Sequence, residues 1–324
     1  MKLQKEYGIL IAIIIALLLY LFVRNPDRTH YRLPEIPDVS KADISKIEIS
    51  KKDISIALKK RDQSWHIASQ EYRADSNKVN NMLDTIEKLI LTALVSESKN
   101  YDRYDLTNDK KITVRAWSGD KLSREFEVGK PATSYRHTFV KLPGDDRVYH
   151  ARENFRSRFD QTADTLRDKT VLSFNKTDIQ EIRITKGDQS MTFARAQIPA
   201  KVNTTKETQA ESPPSTKTAP VWQNDEGKKG DESKLDSLFS ALSNLSCEKY
   251  IDGKKKEEFT DPIYTVQLKG AQSYSLSLFA KKEKDTKSYP AISSESNYPF
   301  LLRESQGDSI MKKPDELLKK AEKS

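Results

Sequence analysis

One cysteine, four histidines and ten glycines stand among 324 residues, and each shortage closes a class of chemistry. A lone thiol, Cys247, cannot close an intramolecular disulfide or build a thiolate metal site, and it reads as a small buried residue. None of His30, His66, His137 and His150 has a partner at the short spacing from which a zinc site is assembled. Few glycines leave few places where a backbone can wrap a cofactor. Gly129-Lys130 with Thr133-Ser134 looks like a phosphate loop, but Arg124 stands where its first glycine is required. That segment also runs from one strand pattern to another, whereas a phosphate loop opens a helix. No Gly-x-Ser-x-Gly elbow occurs. With 48 acidic residues, some carboxylate pair meets glycosidase spacing by chance, so none points to catalysis. No catalytic residue, metal ligand or cofactor is assigned, and the chain reads as a protein that is not an enzyme.

What is abundant is charge. Lys and Arg number 56 against 48 Asp and Glu, a net charge of +8, with 32% of all residues charged. The signs are interleaved, as in the stretches KKRDQ, SESKNYDR and KKEKDTK, which describes a solvated surface and not a nucleic-acid stripe. Nucleic acid is therefore excluded as a partner. Arg167-Asp168 is the one charged pair singled out as a docking point for a protein partner. Its competing reading is a local ion pair or cap.

Between Glu6 and Arg24 lie 17 residues without a charge, GILIAIIIALLLYLFV among them. After a tail at 1–6, this run predicts a transmembrane anchor over 7–23, with Lys5 and Arg24 reaching outward along their aliphatic stems. The run ends in Leu21-Phe22-Val23-Arg24 without a small-x-small cleavage site, so a cleaved signal is the weaker reading. Arg24, Arg28 and Arg32 after the run favour a cytoplasmic body, whereas a short basic tail before a single span favours an exported one. Residues 24–40, with Pro26, Pro34 and Pro37, read as an extended stalk.

Beyond the stalk the same order of signals is written twice. ISKIEIS at 44–50 alternates apolar and polar residues like a half-buried strand, and IQEIRIT at 179–185 repeats it. Trp65 ends the strand group of the first copy and Trp222 that of the second. Asp75 or Ser76 caps a predicted helix carrying Val79, Met82, Leu83, Ile86, Leu89 and Ile90 on one face. Leu235, Leu238, Leu242 and Leu245 mark its counterpart. Further helices are predicted around Phe155, Phe159 and Leu166, and around Leu317 and Leu318. The fold expected is α+β, a transmembrane helix followed by two tandem copies of a mainly antiparallel sheet with helices, at 41–170 and 171–324. Residues 197–220, rich in Thr, Lys, Ser and Pro, form a low-complexity insertion in the second copy.

The anchor, the strand pair running from Ile44–Ser50 through Trp65, Val148-Tyr149 after Gly144-Asp145, and Leu166–Lys169 followed by Val171-Leu172 together carry a resemblance. They resemble a bacterial family of membrane-anchored proteins known only as a domain of unknown function, found alongside gliding-motility-type ABC transporter components. The resemblance covers nearly the whole chain apart from 197–220. It implies a body outside the cytoplasmic membrane and an accessory role beside a transporter, and it supplies no catalytic residues. The expected function is a non-catalytic, membrane-anchored accessory or scaffold protein of the bacterial envelope with protein partners in a membrane assembly. The alternative is an envelope enzyme or glycan-binding module with a cleft between the two repeats.

Overall fold

The computed structural model describes residues 3–23, 31–69, 71–196, 221–281 and 287–319, with backbone alone for 3–6, 22 and 23. The predicted insertion at 197–220 and the whole segment 24–30 that opens the predicted stalk, His30 included, lie outside the described residues. The chain divides into two compact units, Met1–Arg167 and Asp168–Ser324.

Helix α1, Leu3–Val23, carries the apolar run. Its 17 uncharged residues between Glu6 and Arg24 rise about 25 Å, against a hydrocarbon core of about 30 Å. Among the described residues no helix is long and apolar enough to cross a membrane. The predicted anchor over 7–23 is corrected accordingly, and so is the fold class that began with it. Among the described residues the fold is mostly antiparallel β, in three sheets with six α-helices, two of which are single turns.

The described residues of the first unit form nine strands: β1 (Lys46–Lys51), β2 (Ile54–Arg61), β3 (Ser64–Ile67), β4 (Tyr72–Arg73), β5 (Leu91–Ser96), β6 (Ile112–Ser118), β7 (Lys121–Pro131), β8 (His137–Lys141) and β9 (Val148–Arg152). Their order in the sheet is β4-β3-β2-β1-β6-β7-β8-β9-β5, antiparallel throughout. Alternation sends Ile47 and Ile49 of β1 inward with Leu58, Val114 and Phe126, while Lys46 and Glu48 face outward. The inward face meets α2, Ser76–Glu87, through Val79, Met82, Leu83 and Ile86 at helical spacing. Asp75 caps α2 by accepting from the amides of Asn77 (2.9 Å) and Lys78 (3.1 Å). Two single turns, α3 (Arg156–Phe159) and α4 (Ala163–Leu166), close this core. Phe126 meets Phe159 edge-on at 5.8 Å and Phe155 at 6.4 Å.

The second unit holds β10 (Thr170–Ser173), β11 (Glu181–Lys186), β12 (Gln189–Ala196), β13 (Val221–Asn224), β14 (Asn244–Ser246), β15 (Lys249–Tyr250), β16 (Tyr264–Lys269), β17 (Ser273–Leu278), β18 (Ser288–Ser293) and β19 (Phe300–Arg303). Eight of them form one sheet in the order β13-β12-β11-β16-β17-β18-β19-β15, and β10 pairs with β14 apart from it. Helix α5, Glu232–Leu242, presents Leu235, Leu238, Phe239 and Leu242 to that sheet, and Trp222 packs on Phe239 with ring centroids 5.2 Å apart. Matched strand by strand, the two large sheets follow one order, β3 standing for β13 and β5 for β15, with β4 an addition in the first unit.

Local structure departs from the sequence pattern in three places. Helix α2 stops at Glu87, where the Lys88 amide still donates to Asp84, and Ile90 lies outside the helix with 42% of its surface exposed. The predicted helix from Phe155 to Leu166 is interrupted because the Thr162 hydroxyl accepts from the Thr165 amide (3.2 Å), starting a new turn. The predicted helix at Leu317 and Leu318 is one 3-10 turn, Pro314–Leu317, and α6, Glu304–Ile310, precedes it.

Candidate functional site

Strand β7 places Arg124, Phe126 and Val128 on one face, because side chains two residues apart point the same way. Phe126 and Val128 are core residues; Arg124, in the same row, brings a guanidinium to the edge of that core. It is opposite Ala116 of β6, which in turn is opposite Ile47 of β1. Only 6% of its surface is exposed.

The chain ahead of β1 covers this end of the sheet. Residues 32–40 form neither helix nor strand, yet Leu33, Ile36 and Val39 pack against the core of the first unit. The Pro37 carbonyl accepts a hydrogen bond from Nη2 of Arg124. Among the described residues, Nε and Nη1 of the same guanidinium are buried with no hydrogen-bond partner. Burial pushes the Arg124 guanidinium below its usual range, and the negative charge of Asp38 partly offsets that.

Beside Arg124 runs a cavity of about 380 Å³ between this covering segment and the end of α2. Leu33, Ile36 and Ile90 give it apolar walls; Asp38, Glu87 and Lys88 supply charge along with Arg124. The Lys41 amide already occupies Glu87 Oε1 at 2.9 Å. The arrangement has the composition of a recognition site: apolar walls and one buried cation short of partners. A second cavity of about 230 Å³, beside Thr85 and Phe155, differs in that its Arg158 is engaged, donating to Thr85 (2.7 Å) and Glu153 (2.9 Å).

The pair singled out from sequence is divided between the units. Arg167, 4% exposed, closes the first unit with its guanidinium 3.5 Å above the Tyr72 ring. Asp168 opens the second, its carboxylate accepting from the Thr170 amide (2.9 Å) and its carbonyl from the Tyr250 hydroxyl (2.9 Å). His137 and His150 stack with ring centroids 5.2 Å apart, and burial followed by the charge of His137 lowers the pKa of His150. The Nδ1 atom of His66 is buried. Cys247 is buried too. Among the described residues no group of three or more His, Cys, Asp or Glu is placed to hold a metal ion. Gly129 serves packing: a Cβ there would lie 2.2 Å from the Tyr104 carbonyl oxygen.

A tight polar cluster follows the Gly144 turn. Asp145 accepts from Arg147 twice through side chains (3.0 and 2.9 Å), from its amide (2.9 Å) and from the Tyr149 hydroxyl (2.7 Å). Hydrogen bonding from Arg147 leads the effects that hold the Asp145 carboxyl down at about 2, while burial first, and Asp145 second, raise the Tyr149 phenol. Every oxygen of this cluster is engaged, so it braces the turn.

Sequence reasoning passed over Arg124, seeing in it only the absence of a glycine. Period-two counting back from Phe126 could have flagged it as an arginine at an inward position.

A family model described as Domain of unknown function (DUF4340) matches residues 65–262, more than half of the chain. No curated protein and no solved structure matches.

Proposed function

The chain belongs to the DUF4340 domain family, and from that premise we propose that it is a non-catalytic accessory or scaffold protein of the bacterial envelope. In this reading the body lies on the extracytoplasmic side of the cytoplasmic membrane, held there by protein partners in a membrane assembly. An ABC-type transporter is the partner class that the resemblance to proteins encoded beside gliding-motility transporters suggests. The observation that carries the reading is the groove at Arg124. A buried cation with two nitrogens lacking partners among the described residues, beside apolar walls, is suited to holding an anionic group of a partner.

Photo-crosslinking in intact cells tests the proposal. A photoreactive residue replaces Ile90, an exposed wall of the groove, and a second replaces Tyr135, exposed elsewhere on the first unit. An adduct with a membrane-transporter subunit that forms from position 90 and not from 135 is the expected result. Identical adducts from both positions, or none from position 90, would refute it.

A further inference from the structure

Resting on the docking role just proposed, we infer that the Arg124 groove receives the free carboxylate at the C-terminus of an extended partner segment ending in an aliphatic residue. The first ground is charge complementarity. Arg124 is more than nine-tenths buried and lines the cavity, and among the described residues its guanidinium makes one hydrogen bond, to the Pro37 carbonyl. A guanidinium held this way lacks its natural partner, a planar oxyanion. Lys88 adds a second positive charge to the lining.

The second ground is that the fold does not require an arginine there. In the first unit the row Ile47, Ala116, Arg124 crosses β1, β6 and β7. In the second unit the equivalent row across β11, β16 and β17 is Ile182, Leu268, Tyr274. Tyr274 is capped by Phe174, with ring centroids 5.4 Å apart, from the chain ahead of β11. That chain also forms β10, which pairs with β14 just beyond α5. In the first unit the corresponding segment, 33–38, joins no ladder with residues 88–91, and the cavity lies between them. The second unit closes this place with its own strand and aromatic pair. The first leaves it open and lines it with a cation.

The third ground is size and wall chemistry. About 380 Å³ is at the small end of the roughly 300–1,000 Å³ of ligand sites, which suits the last residues of a chain. The walls from Leu33, Ile36, Leu89 and Ile90 call for an aliphatic side chain beside the carboxylate. Asp38 and Glu87 also line the cavity. Both oppose an anion, and Asp38 acts on Arg124 through its charge without a hydrogen bond, so neutralising Asp38 sharpens the test.

The experiment is an NMR titration of the full chain with the acetylated pentapeptide Ala-Ser-Ala-Val-Leu, as free acid and as C-terminal amide, and with octanoate. The free acid is expected to bind in the millimolar range with shifts at residues 33–38 and 87–91, and the amide at least tenfold more weakly. Arg124→Met should abolish the difference between acid and amide, and Asp38→Asn should tighten the acid several-fold. Equal binding of acid and amide to the wild type overturns the inference and leaves the docking proposal to its crosslinks. Octanoate binding without peptide binding overturns it in favour of a small-molecule site, as does absence of all binding in favour of none. The acid-against-amide comparison needs no variant, so it stands even where Arg124→Met fails to fold.

Discussion

Replacing Arg124 by methionine separates a guanidinium kept for recognition from one kept for folding. The side chain contributes one hydrogen bond, to the Pro37 carbonyl, worth about 0.5–1.5 kcal/mol net, somewhat more for a charged donor. Against that stands a nearly buried cation that forms no ion pair among the described residues, with two nitrogens unsatisfied. Exchanging buried charges for apolar groups of similar volume is neutral to stabilising by about 1–4 kcal/mol. Methionine is long enough to line the same space and flexible enough to settle against Phe126. The expected balance runs from no change to about 2 kcal/mol of added stability, or a melting temperature up to roughly 8 °C higher for a unit of this size. Urea unfolding measures it. Trp65 and Trp117 report on the first unit, so the fluorescence is read in a Trp222→Phe background. A loss of about 3–5 kcal/mol, the penalty expected when a paired buried charge is broken, would show that Arg124 holds the fold together and would sink the reasoning.

Three further outcomes are expected. Asp145 has its carboxyl lowered to about 2 by Arg147, so its contribution is present above the unfolded pKa near 4 and is lost as pH falls toward 2. Because Arg147 is 36% and Asp145 19% exposed, solvent screening trims that contribution to about 1 kcal/mol. Urea midpoints of Asp145→Asn and wild type should therefore differ at pH 7 and converge near pH 2. Gly129→Ala drives a methyl group against the Tyr104 carbonyl, and since backbone must shift, a loss of about 1–3 kcal/mol is expected in thermal melts. Asp75→Ala and Asp231→Ala each remove an N-cap, of α2 and of α5; each should cost about 1 kcal/mol, and hydrogen exchange should quicken at the start of the helix concerned.

The sequence made the regular parts of each unit legible because their hydrophobic period was uninterrupted. Ile47 and Ile49, Ile182 and Ile184, and the α2 stripe from Val79 to Ile86 face inward as their spacing dictates. Strand β5 was hidden for a physical reason: two register shifts against β9 break its alternation, and Leu89 and Ile90 extend the helical stripe ahead of it. Helix α6 was hidden because Glu304–Ile310 buries only Gly307 and Ile310, too few to make a stripe. The apolar run of α1 suggested a membrane span on composition, and its uncharged length, 17 residues, falls short. Arg124 was illegible for a different reason. A charged residue at an inward position reads as an error in the pattern until the chain that covers it is seen.

That covering chain explains why two units with one strand order differ in what they expose. In both, the segment ahead of the first strand lies over the same row of the sheet. In the second unit it brings Phe174 to Tyr274 and a short ladder to β14, burying apolar surface with backbone hydrogen bonds satisfied. In the first it brings prolines, which donate no backbone hydrogen bond, and the carbonyl of Pro37 meets a cation. Pro34 and Pro37 keep the segment extended while preventing the ladder that would fill the groove. Proline in the cover and arginine beneath it are thus two halves of one arrangement. The prolines hold the site open, and the arginine gives the open site its charge.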